Sequence, residues 1–218
     1  QDGRVLSYTL PWPNVSLLSF LQEAPRWPRV YWSNADSPIA LAGHGVTDIL
    51  SASGQDRFSD IREQARELFQ NITICGEHHP PQVGPRILGG FSFDTGSQDE
   101  IWTAFPTAWF VLPKYQLTRY EGSTWLTINH RIDRKTSQDS ITQIIQQDCN
   151  QLIRSRTDQL KPLDNYPGKL CSLTSQSEWQ QQVGCALKKI RNGSLQKVVI
   201  ARCMEYQGAV STLRMLWT

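Results

Sequence analysis

Residues 108–132, AWFVLPKYQLTRYEGSTWLTINHRI, carry the pattern that decides the fold. Two runs rich in β-branched and aromatic residues, 108–122 and 123–132, meet at a polar Tyr-Glu-Gly-Ser-Thr segment whose glycine suits a hairpin connection. RILGGFSFD (86–94) reads as a strand before them. Strands that follow one another through short turns pair antiparallel, whereas parallel neighbours need a long crossover. The stretch therefore predicts an α+β fold with largely antiparallel sheets flanked by helices, and not a doubly wound one.

Upstream, RVYWS (29–33) and IALAGHGVTDIL (39–50) read as further strands across the polar turn Asn-Ala-Asp-Ser-Pro. A short helix is expected in NVSLLSFLQE, capped by Asn14. Phe58, Ile61, Ala65, Leu68 and Phe69 recur at helical spacing with Glu and Arg opposite, which predicts a helix over this stretch. The segment CGEHHPPQVGP then breaks the chain with prolines and glycines.

Downstream, a helix is expected from about Ser140 to Leu160, with Ile141, Ile144, Ile145, Cys149, Leu152 and Ile153 on one side. KPLDNYPGKLCSLTS reads as a connector, so the chain divides into residues 1–172 and 173–218. Ser175 and Glu178 form a capping-box pattern ahead of an apolar stripe of Trp179, Val183, Ala186, Leu187 and Ile190. Asn192-Gly193 supplies residues that tolerate the left-handed conformation at a helix end. LQKVVIAR (195–202) then reads as a strand in which Lys197 shares a face with Leu195, Val199 and Ala201.

The chain has 218 residues, 39% of them hydrophobic, with eight tryptophans and seven phenylalanines, enough for a sizeable core. A net charge of +2 without a basic block gives no sign of nucleic-acid or membrane binding. No run approaches the roughly 20 apolar residues of a bilayer span, and the first residues lack a signal-peptide pattern. Five scattered cysteines (75, 149, 171, 185 and 203) fit reduced thiols better than a disulfide framework. The expected compartment is the cytoplasm, or a plastid stroma if a transit peptide has been removed. Because the chain opens on Gln1, its true start is expected to lie upstream.

Four constellations compete as functional sites. Cys75, Glu77, His78 and His79 offer metal-ligand chemistry, but adjacent ligands seldom converge on one ion, so they read as loop residues. Gly43-His44-Gly45 with Asp48 lacks the setting of a nucleotide loop and reads as a bend in a strand. Gly89-Gly90 before an aromatic strand suggests close backbone packing, with Asp94 capping the turn that follows. Lys197 is the fourth. Buried lysines usually pair or snorkel, yet burial also frees a neutral amine for use as a general base.

KVVIAR closely resembles the KVVLAR signature of isochorismate synthases, in the chorismate-utilising enzyme family. The preceding helix, GGFSFD and AGHGVTDILSASGQDRFSDIREQARELF resemble other parts of those enzymes, so the likeness spans nearly the whole chain. The resemblance implies Mg²⁺-dependent conversion of chorismate to isochorismate, with Lys197 as the base that activates water. It also implies a role in menaquinone, phylloquinone or siderophore supply. Family members are about twice as long, and their metal-binding glutamates and TPE segment lie past residue 218. Glu205 is accordingly not assigned to the metal, and no metal or cofactor ligand is expected within the chain. Residues 1–172 are then the N-terminal region of the fold, and 173–218 the start of the catalytic domain. Without its continuation VVIA is expected to expose apolar surface, and the chain alone to be inactive. Two alternatives remain: a salicylate synthase, and a non-catalytic N-terminal binding module. No nucleic acid or membrane partner is expected, and a monomer is the expected state.

Overall fold

A computed structural model describes residues 3–25, 27–94, 105–133, 136–154 and 168–216. The chain separates into two compact units, 1–161 and 162–218. The connector expected to carry the boundary lies partly outside the described residues.

The first unit is built on a six-stranded sheet of order β2-β3-β8-β9-β1-β5 and a three-stranded sheet of order β4-β7-β6. Its strands are β1 (Arg4–Trp12), β2 (Arg29–Ser33), β3 (Ile39–His44), β4 (Asp48–Ala52), β5 (Ile72–Gly76), β6 (Leu88–Phe91), β7 (Ala108–Leu112), β8 (Tyr115–Tyr120) and β9 (Ser123–Ile132). All pairings are antiparallel except β1 with β5. The expected α+β, largely antiparallel architecture is the one observed. The β8–β9 hairpin turns through Glu121 (φ 47°) and Gly122 (φ 80°), the doubly left-handed pair of a type I′ turn.

The stretches 39–50 and 108–122, each expected as one strand, are each two strands in different sheets. Gly45, at φ 70°, bends the first, and Pro113, which has no N–H to give a ladder, interrupts the second. The two bends lie side by side, since His44 pairs with Tyr115 on one side of them and Asp48 with Leu112 on the other. Strands that turn a corner from one sheet to another in this way are a known solution for packing sheets at an angle.

Asn129 staples the corner. Its Nδ2 donates to Pro113 O at 2.8 Å, its backbone N–H donates to Lys114 O at 2.8 Å, and its carbonyl accepts from Thr47 Oγ1 at 2.8 Å. The side chain is fully buried. Asn129→Ala removes the Nδ2 donor and leaves Pro113 O without it, at an expected cost of about 1–3 kcal/mol. Urea denaturation measures this as a lower midpoint at unchanged slope.

The six-stranded sheet has two different faces. On one, Ala42, Leu117 and Leu126 lie in register and are buried, and α1 (Leu17–Gln22), whose Leu17 and Leu21 are also buried, packs against β3. Ser16, not the expected Asn14, caps α1: its Oγ accepts from Ser19 N at 3.4 Å, while Asn14 Oδ1 accepts from Thr124 Oγ1 at 3.3 Å. On the other face Ser7, Thr9, Gln116, Thr118, Thr127 and Asn129 are buried polar residues. The 77–87 loop serves part of this face: Gln116 Nε2 donates to Gly84 O at 2.8 Å and its Oε1 accepts from Arg86 N at 3.2 Å.

The helix α2 (Arg57–Gln70) fills the predicted place. Ile61 and Leu68 pack with Val5, Leu50, Ala108 and Leu112 into one core, whereas Phe58 and Phe69 of the expected stripe stay exposed. The helix α3 runs over Gln138–Arg154, and the rest of the helix expected to reach Leu160 falls outside the described residues.

The second unit contains β10 (Lys169–Ser172) paired antiparallel with β11 (Met204–Gln207), α4 (Gln176–Arg191) and the short α5 (Thr212–Met215). Because β10 pairs with β11, the expected boundary at 172/173 falls inside this unit, after β10.

Candidate functional site

The N-terminus of α4 is built as the sequence predicts. Ser175 Oγ accepts from Glu178 N at 3.2 Å, and Glu178 Oε2 accepts from Ser175 N at 2.8 Å. The Ser175 hydroxyl and backbone bonds hold the Glu178 carboxyl below its usual range. At the other end Gly193 takes φ 78°, and Ser194 N and Leu195 N both donate to Lys189 O, at 2.9 and 3.1 Å. This turn directs the chain into the segment that carries Lys197.

The segment is not a strand. Residues 197–203 form no ladder, and the nearest strand is β11. A doubly buried strand needs hydrogen-bonding neighbours on both sides. In this unit the described strands form a single pair, using residues 169–172 and 204–207. Without flanking strands VVIA has nothing to join, and Val199 is 84% exposed, which is the apolar exposure expected for it. The expected face of Lys197, Leu195, Val199 and Ala201 is therefore not formed. Lys197 is exposed, and among the described residues its ammonium has no hydrogen-bond or ion-pair partner.

The sequence neighbours expected around this lysine are placed as follows. Arg202 donates twice to Ser172 Oγ, at 3.2 and 3.0 Å, and Leu173 N donates to Cys203 O at 3.2 Å, tying the end of the segment to β10. Glu205 lies exposed on β11 opposite Cys171 and accepts from Gln207 Nε2 at 3.3 Å. The stripe on α4 forms, but no α4 side chain is fully buried.

The other three constellations all lie in the first unit. Cys75 Sγ donates to Ser7 O at 3.6 Å and burial pushes its thiol up. Glu77 and His78 are exposed, while the His79 ring packs edge-on against Trp125 with centroids 6.2 Å apart. Among the described residues no group of three or more His, Cys, Asp and Glu could hold a metal. Gly43 has no room for a side chain, since a Cβ would meet Pro113 Cγ at 2.7 Å, and Gly45 supplies the bend expected of this motif. Asp48 pairs with Arg131 at 2.6 Å. At Gly89 a Cβ would run into Trp109 O at 2.0 Å, which is the close backbone packing expected there. Asp94 O accepts from Ser92 Oγ at 2.8 Å, while the turn that Asp94 was expected to cap lies outside the described residues.

One polar cluster is not anticipated by motif. Asp148 of α3 accepts from Tyr115 Oη at 2.5 Å and bonds His130 Nε2 at 2.7 Å, with Lys114 Nζ at 3.6 Å. Its only sequence signal is an aspartate at helical spacing from Ile141, Ile144, Ile145 and Leu152.

A family model described as chorismate binding enzyme matches residues 1–215. The salicylate biosynthesis isochorismate synthase of Pseudomonas aeruginosa is 27% identical over 179 residues, covering 80% of this chain and 36% of that protein. The isochorismate synthase MenF of Bacillus subtilis is 22% identical over 210 residues, covering 91% of this chain and 43% of that protein. The chain thus spans less than half the length of the curated relatives it matches. Among solved structures, the menaquinone-specific isochorismate synthase MenF of Escherichia coli superposes with a TM-score of 0.60 at 18% identity. The match covers 98% of this chain and 44% of that one.

Proposed function

We propose, since this chain belongs to the chorismate-binding enzyme family, that a protein carrying it is an isochorismate synthase. The observation that carries this reading is that two curated relatives, aligned over most of the chain, are both isochorismate synthases. The substrate in this reading is chorismate. Quinone or siderophore supply is the proposed role, and five free cysteines accord with a reducing cytoplasm as its compartment.

Lys197 is the proposed general base. A neutral ε-amine takes a proton from water, and the water oxygen bonds to ring carbon 2. The two ring double bonds shift, and the hydroxyl on carbon 4 departs with a proton from an acid. One hydroxyl is gained and one lost, so product and substrate are isomers. Water at its ordinary pKa attacks poorly, and a positioned base contributes about 10²–10⁴-fold. Lys197 is exposed here, so in this reading the burial that favours a neutral amine is supplied by the rest of the relatives' length.

The family resemblance implies Mg²⁺, which takes near-octahedral oxygen ligands. The described residues do not fit it: they bring no carboxylate cluster together, and Glu178 is engaged in the capping box. The acid that serves the departing hydroxyl is assigned to no residue of this chain.

Product analysis tests the reading. A protein that carries this chain together with the rest of its relatives' length is expected to yield isochorismate from chorismate in Mg²⁺ buffer. Salicylate plus pyruvate would make it a salicylate synthase. No turnover would leave a non-catalytic binding module and overturn the proposal.

A further inference from the structure

The helix α3 is held to the sheet in an unusual way. Its apolar stripe is shallow: Ile141, Ile144, Ile145, Cys149 and Leu152 are half-buried, and Ile153 is 54% exposed. Asp148 is the only described α3 residue that is buried. The strongest anchor of this amphipathic helix is thus a carboxylate within its apolar stripe.

We propose that Asp148 is an acid-operated latch: its carboxylate, held by Tyr115 and His130 and flanked by Lys114, fixes α3 to the six-stranded sheet, and protonation frees the helix while the sheet stays folded.

The groups facing the carboxylate come from each neighbouring element. Lys114 belongs to the β7–β8 connector, Tyr115 to β8, His130 to β9 and Cys149 to α3 itself. Behind Tyr115, the His44 ring of β3 packs at 5.1 Å between centroids, and Lys114 Nζ lies 5.0 Å from the Tyr115 ring centre. None of these is a second carboxylate able to share a proton with Asp148. Hydrogen bonds to an ionised acceptor are about twice as strong as neutral ones, so the clasp depends on the charge.

Burial pushes the Asp148 carboxyl up. The hydrogen bonds from His130 and Tyr115, with the charges of Lys114 and His130, outweigh that and hold it below the usual aspartate range. A depressed carboxyl stabilises fully above its unfolded value, and the contribution is lost as pH falls through the lowered one. Acid is therefore the direction that opens the latch.

Site-resolved amide exchange on the full chain tests this, with protection factors corrected for intrinsic rates from about pH 7 to about pH 3. Protection in α3 is expected to fall at least about tenfold more than in β8 and β9, the free-energy equivalent of one pKa unit. Asp148→Asn is expected to bring α3 to its acid level of protection at neutral pH and to flatten the profile. Tyr115→Phe, which leaves the carboxylate in place, is expected to give an intermediate profile and serves should the first variant fail to fold. The proposal is overturned if α3 and the sheet lose protection together at every pH. It is also overturned if the variants keep the parent's pH dependence.

Discussion

Lys197→Ala is expected to lower kcat for chorismate turnover by about 10²–10⁴-fold while KM changes less than about tenfold. The measurement belongs in a protein that carries this chain together with the rest of its relatives' length. A base that acts only while the attacking water loses its proton contributes to the transition state more than to substrate binding, so the loss appears in kcat. Lys197→Arg separates base from charge. A guanidinium stays protonated at any working pH, so it keeps the cation and cannot accept the proton. Arginine is therefore expected to be nearly as inactive as alanine. Parent-level rates in either variant would remove Lys197 from the mechanism. The 218-residue chain by itself is expected to show no turnover above its own Lys197→Ala control. The described residues gather no metal-binding carboxylates, and the lysine stands alone on an irregular segment.

Leu126→Ala is the substitution expected to destabilise the first unit most. Leu126 on β9 stands directly opposite Leu117 on β8 and Leu10 on β1, and both Leu126 and Leu117 are fully buried. Removing its branched end loses the transfer free energy of the buried carbons and leaves a cavity that strands on both sides prevent from closing. Large-to-small changes of this kind cost about 2–5 kcal/mol. That is a large share of the roughly 5–15 kcal/mol that stabilises a typical domain. Urea denaturation followed by tryptophan fluorescence should show a much lower midpoint with an unchanged slope. A midpoint within error of the parent would mean that this ladder is not the centre of the core. Leu10→Ala, at a half-buried position in the same ladder, should cost less.

Much of the fold is legible in the sequence. The 123–132 strand alternates and opens on a glycine turn, α2 repeats its apolar residues at helical spacing, and Ser175 with Glu178 marks the start of α4. Each is a local signal, and each element forms where it is expected. The strands β1 and β5 were not anticipated. Leu6, Tyr8 and Leu10 alternate with Ser7 and Thr9, but the run is short and Pro11 near its end reads as a breaker, while Ser7 and Thr9 are buried rather than on a solvated face. Its burial on both faces comes from its place between β9 and the parallel partner β5, a long-range fact. The sheet corner was hidden for a similar reason. Gly45 and Pro113 each read as a local feature, and only the pairing of the two stretches makes them one bend.

The sites divide in the same way. KVVIAR could be matched to a family because a signature is a string. Its geometry could not be read, because a strand is completed by neighbours that its own residues do not supply. The cluster at Asp148 joins residues from α3, β8, β9 and the β7–β8 connector, and no spacing along the chain brings them together. The sequence by itself determined the fold class, the caps and turns, the helical stripes and the family likeness, because these rest on local backbone preference and side-chain periodicity. The tertiary structure decided which strands share a sheet, which stripe carries a buried charge, and that the Lys197 segment is exposed. These depend on packing and hydrogen bonding between residues distant in sequence.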